Sequence, residues 1–270
     1  MRYAAILLIA ALMAAGAPPA YPHGKDSLGG EVRIEIVPEN GDAFLIIPNQ
    51  DSWQKGTHII KRYLEARRGE NYGIVIHNTK PERIGVVIAV DGRNIISGKR
   101  SNLKNTEAMY IVDSYGYGEY DGWRTAGDRV HKFYFTDMAD SYALRTFGDS
   151  SAMGVIAVAV YQEKEQQRLQ YERERRADRP AVPPAERSAQ GKSGMARDES
   201  PGTGFGREQY SPTIEVAFAP QSTPLQKTLF KYEWREVLCK RGILNCRREA
   251  RNRLWDEDVY APFPPGYENE

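Results

Sequence analysis

Residues 84–98 read IGVVIAVDGRNIISG, two apolar runs hinged on an Asp-Gly pair. In an extended chain Ile84, Val86, Ile88 and Val90 share one face and Gly85, Val87 and Ala89 the other, so both faces of the first run suit burial. Asp91 and Gly92 supply the two positive-φ residues that a type I′ turn requires, and Ile95 and Ile96 begin the return strand. The stretch predicts a central hairpin, in which Asp91 serves turn geometry rather than catalysis.

A second run apolar on both faces, MGVIAVAVY at 153–161, predicts another central strand. Around these two, 31–37 alternates charged and apolar residues in period two. Short strands are expected at 44–47 (ended by Pro48), 58–64, 72–76, 109–112 and 130–135. Many short strands with Gly, Asn and Asp between them predict a mostly β chain: an antiparallel β-sandwich-like domain over 31–161.

Composition then changes. Residues 162–179 are rich in Glu, Lys, Arg and Gln, which predicts a largely solvated charged helix, and 180–212 collects Pro, Ala, Ser and Gly without periodicity, which predicts a flexible linker. A small α+β element is expected over 213–255, with strands at 213–218 and 227–232 and a helix at 233–241 closed by Gly242 at C′. An acidic tail fills 256–270.

At the other end Arg2, an apolar run over 3–15 and small residues with prolines have the layout of a signal peptide over 1–20, followed by a polar spacer at 21–30. Export to the periplasm or out of the cell follows, with an uncleaved N-terminal anchor as the competing outcome. In an oxidising compartment Cys239 and Cys246 would form a disulfide around Gly242, stabilising by roughly 2–3 kcal/mol.

The 270 residues carry a formal net charge of +1, so no global field argues for nucleic acid or a membrane surface. The two cysteines exclude a disulfide-dense scaffold and a multi-cysteine zinc site, and no cofactor or metal is expected. Gly202-Thr203-Gly204-Phe205-Gly206 lacks the spacing of a dinucleotide fingerprint, and the Walker pattern at Gly191-Lys192-Ser193 has Glu186 where it requires glycine. Ser97, Ser101 and Ser141 lack a nucleophile elbow. His23, His58, His77 and His131 show no ligand spacing.

Two surfaces remain as binding candidates. In 113–124, Tyr115, Tyr117 and Trp123 would share one face of an extended strand opposite bare glycines, with Tyr120, Asp121 and Arg124 alongside, a platform for sugars or aromatic ligands. The competing reading is that these rings complete the sandwich. Arg247, Arg248, Arg251 and Arg253, with Arg235, Lys240 and Arg241, form a basic patch suited to an anionic envelope component, unless Asp256, Glu257 and Asp258 neutralise it.

The segments VDGRNIISG (90–98), GWRTA (122–126), FTDMADSYA (135–143), MGVIAVAVY (153–161), GTGFG (202–206) and LFKYEWREVLCKRGIL (229–244) resemble a family of uncharacterised exported bacterial proteins without established activity, cofactor or catalytic residues. The resemblance implies an envelope or secreted setting and transfers no site. The functional expectation is therefore a non-enzymatic binding or interaction module of the bacterial cell envelope, with an envelope glycan or another envelope protein as partner and no nucleic acid. The alternatives are a cell-wall glycan or peptide hydrolase using Asp113, Asp121 or His131, and a structural or assembly protein.

Overall fold

The computed structural model describes residues 32–165 and 200–246. The expected signal peptide, spacer, body of the charged helix, first part of the linker, acidic tail and the patch of Arg247, Arg248, Arg251 and Arg253 lie outside the described residues.

The described chain is mostly β and forms two seven-stranded sheets. The first runs β1 (Arg33–Pro38), β4 (Asn71–His77), β10 (Arg129–Asp137), β12 (Pro201–Thr203), with β8 (Tyr117–Tyr120) beside β4 and both β9 (Gly122–Ala126) and β13 (Glu208–Tyr210) beside β10. The second runs β2 (Ile46–Gln54), β3 (Thr57–Ala66), β14 (Gln226–Trp234), β11 (Val155–Gln162), β5 (Ile84–Val90), β6 (Arg93–Asn94), with β7 (Tyr110–Val112) on β5. Their pairings are antiparallel except that of β14 with β3, which is parallel. Ile36, Ile74, Ile76, Phe133 and Phe135 of the first sheet share one hydrophobic cluster with Val86, Ile88, Val158, Val160 and Phe230 of the second, which makes the arrangement sandwich-like.

β5 is buried along its whole length, and β11 beside it nearly so, as their two-sided apolar pattern predicts. The second face is covered by Leu103 and Met109, which pack on Val87, Ala159 and Tyr161. Gly85 lets this cover close: a Cβ there would lie 2.6 Å from both Met109 Sδ and the Phe218 ring. Asp91 (φ 48°) and Gly92 (φ 76°) make the expected turn. The return strand is only Arg93–Asn94, because the Asn94 side-chain oxygen accepts the N–H groups of Ile96 and Ser97 and turns the chain away. Ile95 is nevertheless buried.

Five further expectations are corrected. Pro48 does not end its strand; β2 lies at a sheet edge and its register shifts between Pro48 and Gln50, so the missing donor interrupts little. The alternation at 213–218 forms no strand: Ile214 is 87% exposed, and the segment is held by Arg83 Nη2 donating to Ala217 O and Lys164 N donating to Ala219 O, both at 2.8 Å. The linker does not extend to 212, since β12 and β13 lie along β10. β14 is no peripheral addition either, because it sits between β3 and β11 and completes the middle of the second sheet. The charged helix does not begin at 162, where β11 ends.

Two short helices, α1 (Tyr142–Phe147) and α2 (Arg235–Lys240), follow β10 and β14. α1, unforeseen in the sequence, is capped by Ser141 Oγ, which accepts from Leu144 N at 3.3 Å, and by Gly148 at φ 63°. After α2, Gly242 takes φ 69° and Cys239 is bonded to Cys246.

A buried ion pair fastens the 213–220 segment to the second sheet. Arg83 donates through Nε to Glu163 Oε2 at 2.6 Å and through Nη2 to Oε1, with the side chains 5% and 0% exposed. Removing one partner leaves the other charge buried. Glu163→Ala should therefore destabilise the protein by about 3–5 kcal/mol in chemical denaturation, and the double variant Arg83→Met/Glu163→Leu should recover most of that loss. Equal losses in both variants would contradict this account of the pair.

Candidate functional site

The Tyr/Gly segment splits into exposed and buried halves. Tyr115 and Tyr117 are 73% and 72% exposed, the second 6.1 Å from the His77 ring. Trp123 is 2% exposed, packs edge-on against Phe133 at 5.2 Å and donates through Nε1 to Gly204 O at 3.0 Å. The expected row of Tyr115, Tyr117 and Trp123 is thus not formed. β8 pairs with β4 whereas β9 pairs with β10, so the chain changes partner at Asp121, whose carbonyl accepts from Phe133 N at 2.8 Å. This break destroys the period-two relation between residues on either side.

Tyr120 packs on Tyr110 at 4.4 Å, and burial pushes its hydroxyl pKa well up. Arg124 donates to the Tyr110 hydroxyl at 2.6 Å and to Ser211 O at 2.9 Å, and Asp121 accepts from Gln209 at 3.2 Å. These three groups close the sandwich edge.

The histidines lie apart. His58 contacts the Asp51 carboxylate and stacks on Trp53 at 4.7 Å, His77 is 3.9 Å from Glu35, and His131 Nδ1 is 2.8 Å from Gly206 O. His23 is outside the described residues. Among the described residues no group of three or more His, Cys, Asp or Glu is placed to hold a metal ion.

The structure assembles a site that sequence reading missed, around Phe205. Both β12 and β13 run along the same strand, yet the four-residue step from Phe135 to His131 on β10 faces a five-residue step from Thr203 to Glu208. One extra residue is absorbed as a bulge, a device that re-aims side chains at sheet edges. Gly204 N donates to Tyr134 O at 2.9 Å and Gly206 N to Lys132 O at 2.8 Å, so the strand stays attached on both sides of Phe205. A Cβ at 204 would sit 2.1 Å from the Tyr134 ring, and one at 206 would sit 2.7 Å from Lys132 O. Only glycine permits this approach.

Phe205, 39% exposed, stacks on His131 at 4.1 Å and on Tyr142 at 5.1 Å. Tyr142 in turn contacts Trp123 at 4.6 Å and Phe147 at 5.5 Å, so the surface rings rest on the core. Tyr134, Asp140, Tyr142, Arg145, Thr146 and Phe205 line an open cleft of about 350 Å³. Arg145 and Asp140 pair across 3.2 Å at its exposed rim. Neither the Tyr134 nor the Tyr142 hydroxyl has a hydrogen-bond partner among the described residues. A second cavity, of about 250 Å³, is lined by Glu82, Gln162, Glu163, Glu165 and Gln221, and its Glu163 is already committed to Arg83.

Behind the cleft lies a buried polar chain. Asp91 Oδ2 accepts from Thr203 N at 2.8 Å, and Oδ1 accepts from Gly154 N at 2.8 Å and from the Tyr232 hydroxyl at 2.6 Å. The Thr203 hydroxyl lies 2.9 Å from that of Tyr232 and 2.8 Å from that of Tyr72. An ionised carboxylate only accepts, which orients every bond from Tyr72 through Thr203 and Tyr232 toward Asp91. Burial pushes the Asp91 carboxyl from 3.8 up to about 6, against the hydrogen bonds from Tyr232, Thr203 and Gly154, which favour its charge. Burial likewise pushes up the hydroxyl pKa of Tyr72 and Tyr232.

Comparison with protein families, with curated proteins and with solved structures finds no match.

The folded state holds the Asp91 proton up to about pH 6 and the unfolded chain releases it near 3.8. Between these values the folded state binds more protons, so this group's contribution to stability falls as pH rises, by about 3 kcal/mol in all. Denaturation of Asp91→Asn against the parent across this range should reveal that decline in the parent difference curve; a flat difference would contradict it. Gly204→Ala should cost about 1–3 kcal/mol, and most of that cost should vanish in a Tyr134→Ala background, because the clash is with that ring.

Proposed function

We propose that this chain is an exported, non-enzymatic binding module of the bacterial cell envelope, and that the Phe205 cleft takes sugar rings of an envelope glycan. The observation that carries the reading is the group of Phe205, Tyr134 and Tyr142, brought to one cleft by the glycine-framed bulge, β10 and α1. Sugar rings pair apolar C–H faces with polar rims, and this cleft offers aromatic surface beside tyrosine hydroxyls that have no partner among the described residues and the Arg145–Asp140 pair.

Export is supported by the composition of the first 20 residues and by the Cys239–Cys246 disulfide, a bond suited to an oxidising compartment. Among the described residues no helix is long and apolar enough to cross a membrane. The hydrolase reading has weaker support, since its candidates are otherwise engaged or lie away from both cavities. His131 lies under Phe205 and Asp121 accepts from Gln209, while Asp113 is exposed and lines neither cavity. Exposed Tyr115 and Tyr117 leave room for a partner-docking role of the kind an assembly protein needs.

Affinity electrophoresis through gels holding a soluble cellulose ether, laminarin or solubilised peptidoglycan tests the proposal. The parent should be retarded by at least one of these. Phe205→Ala and Tyr142→Ala should each weaken that retardation about tenfold, the equivalent of roughly 1.4 kcal/mol, while Tyr117→Ala leaves it unchanged. No retardation of the parent in any gel, or full retardation of folded Phe205→Ala and Tyr142→Ala, would sink it.

A further inference from the structure

We infer that Asp91 is the positioning residue of the cleft: its buried carboxylate, through the backbone N–H of Thr203, fixes where β12 sits and hence where Phe205 stands. This rests on the cleft being the binding surface, but the positioning claim has its own readout. Thr203 is two residues before Phe205, and Gly204 between them is fixed twice, by Tyr134 O at its N–H and by Trp123 Nε1 at its carbonyl. Thr203 is fully buried and its side chain bridges Tyr72 of the first sheet to Tyr232 of the second. β12 pairs with β10 in regular register only from Pro201 to Thr203, and beyond it single bonds from Gly204 and Gly206 keep the chain on β10 across the bulge. Asp91, beside the Thr203–Tyr232 hydroxyl contact, joins the backbone of this short strand to the opposite sheet.

The carboxylate is suited to that task by what surrounds it. From β14 it faces the Tyr232 hydroxyl, from the turn before β11 the N–H of Gly154, and from β12 the N–H of Thr203; Tyr72 of β4 reaches it only through Thr203. Among the described residues Asp91 has no ion pair. The nearby cations are engaged elsewhere: Lys231 donates to Met153 O at 3.0 Å, and Arg93 pairs with Asp149 at 2.8 Å. The two N–H groups facing Asp91 can only donate, whereas the Tyr232 hydroxyl can also accept. Below its pKa the acid can turn its one O–H to Tyr232 and still accept from both N–H groups, but an asparagine, whichever way its amide is turned, directs an NH₂ at the N–H of Gly154 or of Thr203.

The same arrangement sets a pH dependence. When β12 lifts away, Asp91 meets water and its affinity for a proton drops toward that of an ordinary carboxyl, so the closed state binds the proton more tightly than the open one. Closure is then strongest at low pH and weakens as pH rises through about 6.

Hydrogen exchange followed residue by residue on the full chain, with binding measured in parallel in the glycan gel that retards the parent, tests the inference. In the parent, protection of the Thr203 amide, corrected for intrinsic exchange, should fall by up to about a hundredfold between about pH 4 and about pH 7. In Asp91→Asn the amides of Thr203, Gly204 and Phe205 should exchange at least about tenfold faster at low pH and show no such pH step, while Val158 and Val160 change far less. Thr203→Val, which keeps the N–H bond to Asp91, should retain the step. Unchanged protection at 203–205 in Asp91→Asn, or a uniform rise across the whole core, would overturn the inference. Local loosening without weaker glycan binding would support Asp91 as the anchor and count against the glycan reading of the cleft.

Discussion

A single buried carboxylate, on the turn between β5 and β6, holds together pieces of chain that are far apart in sequence. Asp91 takes hydrogen bonds from Gly154, Thr203 and Tyr232, and through Thr203 it reaches Tyr72 in the other sheet. Burying an unpaired charge costs several kcal/mol, and here three donors offset part of that cost without a cation. The residual cost remains in the raised carboxyl pKa. What the network contributes is location: three segments that approach the centre from different directions are brought to one set of coordinates. The glycine-framed bulge and Phe205 follow from it.

The central strands were legible because burial on both faces leaves a plain mark. The apolar runs at 84–90 and 153–161 predict central strands, and both lie inside the second sheet, where β5 pairs with β11. The Asp91-Gly92 turn, α2 with Gly242, and the pairing of Cys239 with Cys246 were readable by the same local rules. What failed was anything decided by partners distant in the chain. Nothing local tells the alternating run at 213–218 that no strand edge awaits it, or tells Pro201–Thr203 that β10 does. A proline- and glycine-rich composition resembles a linker whether or not a neighbouring strand takes up its backbone groups.

The same distinction explains the site. The Tyr/Gly segment attracted notice through composition, but the change of partner at Asp121 sends Trp123 into the core and leaves Tyr115 and Tyr117 outside, apart from it. The rings that do converge belong to segments 134–147 and 202–206, which meet only because β12 and β13 both add to β10. GTGFG, which fails as a phosphate loop and otherwise serves only as a segment of family resemblance, also carries a structural signal. Its glycines are needed for close contact with Tyr134 and Lys132, and the residue between them is the one placed at the surface.

The central claim is that the surface set by this anchor, around Phe205, is where the protein meets its ligand. The most direct test is chemical-shift mapping by NMR on the isotopically labelled protein during titration with oligosaccharides released from peptidoglycan and from a β-glucan. The account predicts saturable shifts concentrated at Phe205, Tyr142, Tyr134 and Arg145, with smaller changes at Trp123 beneath them. Saturable shifts centred on Tyr115 and Tyr117, or spectra unchanged by every sugar, would contradict it.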